Sequence, residues 1–178
     1  VFCYLCTMNW KPENFEIMAP AGSRESLAAA IKAGTDAVYF GIGQLNMRSH
    51  SANHFDINDL REIAETCDAH HIKSYLTVNT IIYDEDLDTM RQILDAAKAA
   101  GVSAIIGSDV AVMSYCRQIG LEVHLSTQLN ISNVEALKFY SQFADVSVLA
   151  RELNMDQVEH IHDEIIKQNI CGPNGQPV

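Results

Sequence analysis

The stretch AGTDAVYF (Ala33–Phe40) decides the fold class of this chain, because it ends a helix and begins a buried strand within eight residues. Gly34 is typical of a helix end, and the apolar run after it is typical of a strand covered on both faces. The pattern returns as AGVSAII (Ala100–Ile106) and, more weakly, as FADVSV (Phe143–Val148). A repeated helix stop that leads directly into a strand indicates a parallel sheet of alternating strands and helices.

Six short apolar runs, each followed by an amphipathic helical stretch, extend this pattern along the chain. We predict strands at Phe15–Ala19, Ala37–Phe40, Ser74–Val78, Ala104–Ile106, Glu122–Leu125 and Val146–Leu149. Six units fill most of the 178 residues, whereas a closed eight-unit barrel needs about 250 residues. The chain is therefore either a complete open α/β sheet or the first three-quarters of a barrel.

Polar residues after nearly every strand favour the barrel, because in a doubly wound sheet they would gather near one switch point. The first turn, Ala19–Gly22, also lacks the spacing of a dinucleotide-binding loop. We predict an incomplete TIM-barrel-like (β/α) domain of class α/β at residues 14–170. An appendage at residues 1–13 precedes it, and a flexible tail rich in Gly and Pro follows at residues 171–178.

Capping residues mark where the helices begin. Ser23 and Asp56 are predicted N-caps, and the spacing of Ser132–Glu135 and Asn154–Gln157 predicts two capping boxes. These signals place the polar strand ends directly before helices, as the (β/α) pattern requires.

Composition limits the classes of partner. The net charge of −11 disfavours broad, nonspecific binding to nucleic acid, which needs clustered Lys and Arg. No apolar run approaches the ~20 residues that cross a bilayer, so we expect no membrane span. Five scattered cysteines without an export signal indicate reduced thiols in the cytoplasm.

The residues that follow the predicted strands form the candidate site, because they would surround one opening of the barrel, here called the mouth. The mouth residues are Gly22, Ser23, Asn46, Arg48, Asn79, Thr80, Ser108, Asp109, Ser126, Thr127, Gln128, Asn130, Arg151 and Glu152. Arg48 and Arg151 can hold a carboxylate or phosphate in bidentate fashion. The amides of Asn79, Gln128 and Asn130 can recognise a planar polar ligand such as a base or an amide.

Asp109 and Glu152 are the acid–base candidates of the mouth, and we leave the catalytic residues open. Each has a structural alternative, since Asp109 can cap the next helix and Glu152 can pair with Arg151. His124 alternates with apolar neighbours on the fifth strand, so we expect it to point into the barrel as a substrate contact. Arg48 is the strongest candidate, because its loop is longer than a connection requires.

Conventional hydrolytic motifs are missing from the sequence. Cys3 and Cys6 have the spacing of metal ligands, but no second pair completes a site. No Gly-x-Ser-x-Gly motif occurs, and no Ser/His/Asp or Cys/His set is recognisable. We therefore predict no metal site in this chain and no conventional protease mechanism from these residues.

The strand ends carry a set of motifs in a fixed order between Glu16 and Ile166. They are MAPAGS (Met18–Ser23), DAVYFG (Asp36–Gly41), LNMR (Leu45–Arg48), VNT (Val78–Thr80), HLSTQ (His124–Gln128) and AREL (Ala150–Leu153). Together these motifs resemble the collagenase-like peptidase family U32. The resemblance implies a bacterial protein with a barrel-like amino-terminal domain and a peptidase classification.

The resemblance also implies a mixed set of activities and a cofactor. Some members resemble factors for hydroxylation of tRNA or ribosomal RNA, or for quinone synthesis, and several are thought to hold an iron–sulfur cluster. The family signature, Glu-x-Phe-x-His-Gly followed by cysteines, has no counterpart here. Because Cys3, Cys6 and Cys171 do not match it, we assign no cluster ligand. We expect this chain to be an amino-terminal fragment without activity of its own, with any cluster in its full-length parent.

Three functions remain open at this stage. The first is a peptidase domain with a peptide substrate, and the second is an RNA-modification domain whose mouth binds a nucleotide or a small carboxylate. The third is a non-catalytic module that forms homo-oligomers through the open edges of the first and sixth strands.

Overall fold

The computed structural model describes residues 15–43, 45 and 55–178. Within them, six strands alternate with six α-helices. The strands are β1 (Met18–Pro20), β2 (Ala37–Phe40), β3 (Lys73–Val78), β4 (Ala104–Gly107), β5 (Val123–Leu125) and β6 (Val146–Ser147). The helices are α1 (Arg24–Ala33), α2 (Asp59–Ala69), α3 (Leu87–Ala100), α4 (Val110–Ile119), α5 (Val134–Ser141) and α6 (Met155–Gln168). Single 3-10 turns lie at Asp84–Asp86 and Thr127–Leu129.

The strands form one sheet in the order β1-β2-β3-β4-β5-β6, and every neighbouring pair is parallel. The order never reverses, so the sheet has no switch point of the doubly wound kind. This topology confirms the predicted incomplete (β/α) barrel, and it brings the carboxyl ends of all six strands to one edge.

The two faces of the sheet have different partners. Val38, Leu76 and Ile105 are fully buried on the outer face, where they belong to the core formed with the helices. The inner face carries a separate, smaller cluster around Tyr75, which lies in register between Tyr39 and Ala104. Because these parallel strands are buried on both faces, their sequences are near-continuous apolar runs.

Helix capping follows the sequence prediction at two sites and departs from it at two others. Ser23 caps α1, and Asn154 forms the predicted capping box with Gln157. The box predicted at Ser132 is wrong by one residue. Asn133 caps α5 instead, because its side-chain oxygen accepts from the backbone N–H of Ala136 at 2.9 Å.

The start of α2 also differs from the sequence prediction. Asp56 does not cap it directly, because a turn intervenes and the helix begins at Asp59. The Asp56 carboxylate instead accepts from the backbone N–H of Asn58 at 2.6 Å.

The edge strands differ slightly from their predicted bounds. β1 begins three residues later than the predicted start at Phe15 and includes Pro20. Ile17 does not extend β1, because its backbone N–H donates to the Asp36 carboxylate at 2.8 Å. At the other edge, Leu149 continues the line of β6 through an isolated parallel bridge to Ile131.

The tail predicted to be flexible at residues 171–178 forms a closed turn in this structure. Cys171 and Pro177 pair in antiparallel fashion, and Gly172 donates to the carbonyl of Gln176 at 2.9 Å. The backbone N–H of Asn174 donates to the Asp145 carboxylate, which docks the turn beside β6. Among the described residues, no helix has the length and apolar character to cross a membrane.

Candidate functional site

The mouth lies at the carboxyl edge of the sheet, and backbone groups link its neighbouring strand ends. The hydroxyl of Ser108, after β4, donates to the carbonyl of Asn79, after β3, at 3.1 Å. The N–H of Ser126, after β5, donates to the carbonyl of Gly107 at 2.8 Å. The predicted mouth residues from Asn79 onward therefore share one edge, and those after β3, β4 and β5 are tied together there.

A 3-10 turn after β5 presents two amides at this edge. Ser126 caps the turn, and its buried hydroxyl contacts the Gln128 side-chain oxygen at 3.4 Å. Asn130 ends the turn in the left-handed conformation, with φ of 49°. Asn tolerates this conformation better than most residues, which explains its place there. Both amide side chains are exposed.

Asp109 fulfils the structural alternative considered for it. One carboxylate oxygen accepts from the N–H of Ala111 at 2.8 Å and caps α4, and the other accepts from the N–H of Ile82 at 3.2 Å. The carboxylate thus joins α4 to the loop after β3. Neither oxygen faces the mouth without a partner, so this geometry supports a positioning role more than proton transfer.

Arg151 and Glu152 lie in an exposed turn after β6. In the part of the chain that the structure describes, neither side chain makes a hydrogen bond or an ion pair, so they do not neutralise each other. Arg151 is therefore available to an anionic group of a ligand. Its predicted partner Arg48 lies outside the described residues, as does Asn46, so the arginine pair stays a prediction.

His124 lies on the inner face of the sheet, as its alternation predicted, and is 8% exposed. Its Nε2 lies 2.9 Å from a carboxylate oxygen of Glu122. Its ring packs edge-to-face against Tyr75, with the ring centroids 4.6 Å apart. These contacts place His124 below the mouth instead of at it, and its substrate contact stays a prediction.

Tyr75 and His124 belong to a group of five residues, here called the inner-face cluster: Glu16, Lys73, Tyr75, Glu122 and His124. The Tyr75 hydroxyl donates to Glu16 at 2.7 Å, and Lys73 donates to the other Glu16 oxygen at 2.6 Å. Partial burial would raise the pKa of the Glu16 carboxyl, but the bonds from Lys73 and Tyr75 outweigh it and leave that pKa below its usual value. Burial, followed by the bond to Glu16, raises the pKa of the Tyr75 hydroxyl.

Sequence reasoning missed four members of this cluster, although a signal was available. Polar residues alternate along β3 at Lys73, Tyr75 and Thr77, and the same alternation joins Glu122 to His124. Alternating polar residues inside otherwise apolar strands indicate a polar patch on one face. Glu16 carried no such signal, because its contacts cross β2 to reach β3.

Two of the described cysteines, Cys67 and Cys116, are poor nucleophiles, and the described residues form no metal site. Cys67 and Cys116 are buried, and burial raises the pKa of their thiols to about 11 and about 12. Within residues 15–43, 45 and 55–178, no three His, Cys, Asp or Glu side chains gather as metal ligands. The described residues therefore do not fit an iron–sulfur cluster, while Cys3 and Cys6 lie outside them.

The consecutive parallel strands and the polar carboxyl edge define a domain of the (β/α)-barrel class. Residues 22–170 match the profile of peptidase family U32, and the chain belongs to this family. A solved structure of a U32 peptidase shares the fold, with a TM-score of 0.67 at 13% identity over 90% of this chain and 70% of that one.

Two curated relatives show the range of the family. The chain is 68% identical to a collagenase of Porphyromonas gingivalis, over 93% of this chain and 40% of that protein. It is 34% identical to tRNA hydroxylation protein P1 of Bacillus subtilis, over 84% of this chain and 36% of that protein. The chain thus spans about two-fifths of the length of these relatives.

Proposed function

We propose that this chain is the substrate-binding part of the barrel of a collagenase-like peptidase and that its mouth binds a peptide. The observation that carries the proposal is the set of exposed polar groups on adjacent strand ends: the amides of Gln128 and Asn130 and the guanidinium of Arg151. Amides pair with peptide N–H and C=O groups, and a guanidinium pairs with a carboxylate. The 68% identity to a collagenase supports a peptide as the ligand.

Bond cleavage needs groups that the described residues do not supply. Among them, no serine or cysteine lies within hydrogen-bond reach of a histidine, and the buried thiols of Cys67 and Cys116 are protonated at neutral pH. In our proposal the described mouth binds and orients the peptide. Parts of the full-length relatives beyond this chain, or residues outside the described ranges, complete the reaction.

RNA modification is the second candidate, favoured by the 34% identity to a tRNA hydroxylation protein. The same amides and Arg151 suit a base and a phosphate or small carboxylate. The net charge of −11 opposes extended contact with an RNA backbone, so this function requires basic surface from elsewhere.

The association module is the third candidate, and the open edges of the sheet favour it. Three apolar side chains in or directly after the edge strands remain exposed, Met18 at 43% and Val146 and Val148 at 40% each. We expect edge pairing to give a dimer mass for this chain in solution, and a monomer mass at high micromolar concentration would contradict it.

We further place the protein in the cytoplasm, in keeping with the free thiols of Cys67, Cys116 and Cys171.

A single comparison tests the first two functions. The full-length protein is assayed for cleavage of gelatin, and modified nucleosides are analysed in cells that lack it. Gelatin cleavage with unchanged nucleosides supports the peptidase. Loss of a hydroxylated nucleoside without cleavage supports RNA modification and overturns our proposal.

The role of the mouth is tested with Arg151→Ala in the full-length protein. Loss of a charge-assisted bond to the peptide should raise KM about tenfold with little change in kcat. Arg61→Ala is the matched control, because Arg61 is an exposed arginine on α2 and is not one of the mouth residues. Equal kinetics for both variants would contradict a binding role for Arg151.

Arg48→Ala in the full-length protein should also lower activity without unfolding it. A loss of the helical circular dichroism signal in this variant would show that Arg48 has a structural role.

A further inference from the structure

We propose that His124 contacts the ligand through Nδ1 as a hydrogen-bond acceptor and that Glu122 is its positioning residue. The inference deepens the proposed function and rests on it, because the ligand group we assign to Nδ1 is a hydrogen-bond donor on a side chain of the bound peptide. It begins from the 2.9 Å contact between His124 Nε2 and Glu122. An ionised carboxylate only accepts hydrogen bonds, so Nε2 carries the hydrogen of the neutral ring and Nδ1 carries a lone pair.

The second observation is that Nδ1 remains available. The two nitrogens of an imidazole point in roughly opposite directions, so the bond to Glu122 turns Nδ1 away from that carboxylate. In the part of the chain that the structure describes, Nδ1 has no hydrogen-bond partner, and it is not among the fully buried unpaired atoms. The ring nevertheless keeps a fixed orientation, because it is held by Glu122 on one side and by the face-to-edge contact with Tyr75 on another.

The third observation is the position of His124 along its strand, relative to the mouth of the incomplete barrel. Register aligns it with Thr77 on β3, Ile106 on β4 and Val146 on β6. Ser126 follows two residues later on the same face and belongs to the mouth, so His124 lies about 7 Å below it. In this proposal, a side chain of the ligand seated at the mouth extends down to that depth, whereas the ligand backbone stays with Gln128 and Asn130.

The charges around the ring favour a donor group of a ligand over an anion. Glu122 and Glu16 are carboxylates on the inner face, and Lys73 is paired with Glu16. The Tyr75 hydroxyl is already donated to Glu16 and therefore does not compete for Nδ1. In hydrolases and metal sites, a carboxylate likewise bonds to one ring nitrogen of a histidine, which fixes the tautomer and leaves a lone pair on the other nitrogen.

The tautomer is measured directly on the full-length protein labelled with ¹⁵N-histidine. We expect the His124 resonances of a protonated Nε2 and an unprotonated Nδ1 at neutral pH. Glu122→Ala should shift the ring toward a mixture of tautomers, and Glu122→Gln should restore part of the preference through its carbonyl oxygen. A protonated Nδ1 in the unaltered protein, or no response to Glu122→Ala, would overturn the inference without reference to activity.

The ligand contact is measured with a gelatin-derived peptide in the same protein. His124→Phe keeps the ring volume but removes the acceptor, and we expect about tenfold weaker peptide binding. His124→Asn places an amide oxygen near the former Nδ1 and should recover part of that loss. Glu65→Gln, an exposed carboxylate on α2, is the control.

Three outcomes of the binding experiment are informative. Weaker binding in His124→Phe with recovery in His124→Asn supports the contact, and equal binding in all variants overturns it. If the unaltered protein binds no peptide, the proposed function fails, and the tautomer measurement alone then decides whether Glu122 positions His124.

Discussion

The inner-face cluster and the mouth contain the same kinds of polar side chain, but they use them differently. In the inner-face cluster, Glu16 accepts from both Lys73 and Tyr75, and Glu122 contacts His124. At the mouth, the guanidinium of Arg151 has no partner among the described residues. Paired polar groups stabilise a fold, whereas unpaired exposed groups contribute little to it and remain available to a ligand.

The test of this contrast with the largest expected effect compares Tyr75→Ala with Arg151→Ala. Tyr75 is 2% exposed, and its removal leaves a cavity and the unpaired Glu16 oxygen. We expect the free energy of unfolding to fall by about 3–5 kcal/mol, against about 0.5 kcal/mol or less for Arg151→Ala. Urea denaturation followed by circular dichroism measures both.

Tyr75→Phe separates the hydroxyl from the ring. It should cost about 1 kcal/mol, because it removes one hydrogen bond and keeps the packing. If Tyr75→Ala destabilises the protein no more than Arg151→Ala does, the inner-face cluster has no structural role and the contrast fails.

The same contrast explains what the sequence could predict. The strand order and the common edge followed from helix stops such as Gly34 and Gly101, because these are local signals. The inner-face cluster depends on Glu16 reaching across β2 to Tyr75, 59 residues away, which no local pattern encodes. The wrong cap at Ser132 has a local cause, since Ser132 and Asn133 are both good caps and only the backbone path chooses between them.

The sequence predicted which edge of the sheet carries the candidate site, but it did not predict the role of each residue there. Gln128, Asn130 and Arg151 do lie at the carboxyl edge because strand direction alone fixes that. The same reasoning could not separate Asp109 from them, since its commitment to the N–H groups of Ala111 and Ile82 arises from loop packing.

A test with a smaller expected effect compares two residues of the mouth, through the variants Asp109→Ala and Glu152→Ala. Asp109→Ala removes the cap of α4 and the bond to Ile82, so the free energy of unfolding should fall by about 1 kcal/mol. Glu152 has no partner among the described residues, and its removal should leave stability within about 0.5 kcal/mol. Thermal unfolding of the two variants measures the difference. Equal melting temperatures would show that Asp109 is not committed to the backbone and would return it to the acid–base candidates.

The smallest expected effect is the pH dependence that Glu16 gives to stability. The bonds from Lys73 and Tyr75 overcome the effect of burial and hold the pKa of the Glu16 carboxyl below its value in the unfolded chain. Its contribution is therefore fully present above the unfolded pKa of about 4.3 and is lost as the pH falls through the lower folded pKa. Because Glu16 is 36% exposed, we expect at most about 1 kcal/mol.

Lys73→Met and its control Lys32→Met isolate this contribution. Lys73→Met removes the ammonium partner of Glu16, whereas Lys32 is an exposed lysine on α1, on the outer side of the sheet. Unfolding in urea is measured at pH 7 and in a series of steps to acidic pH, because acid protonates Glu16 and weakens its bond to Lys73 in the unaltered protein. The stability gap between Lys73→Met and Lys32→Met should therefore be present at pH 7 and narrow as the pH falls. A gap that stays constant would show that the bond between Glu16 and Lys73 does not stabilise the inner-face cluster, leaving the Tyr75 hydroxyl as the partner that holds Glu16 in place.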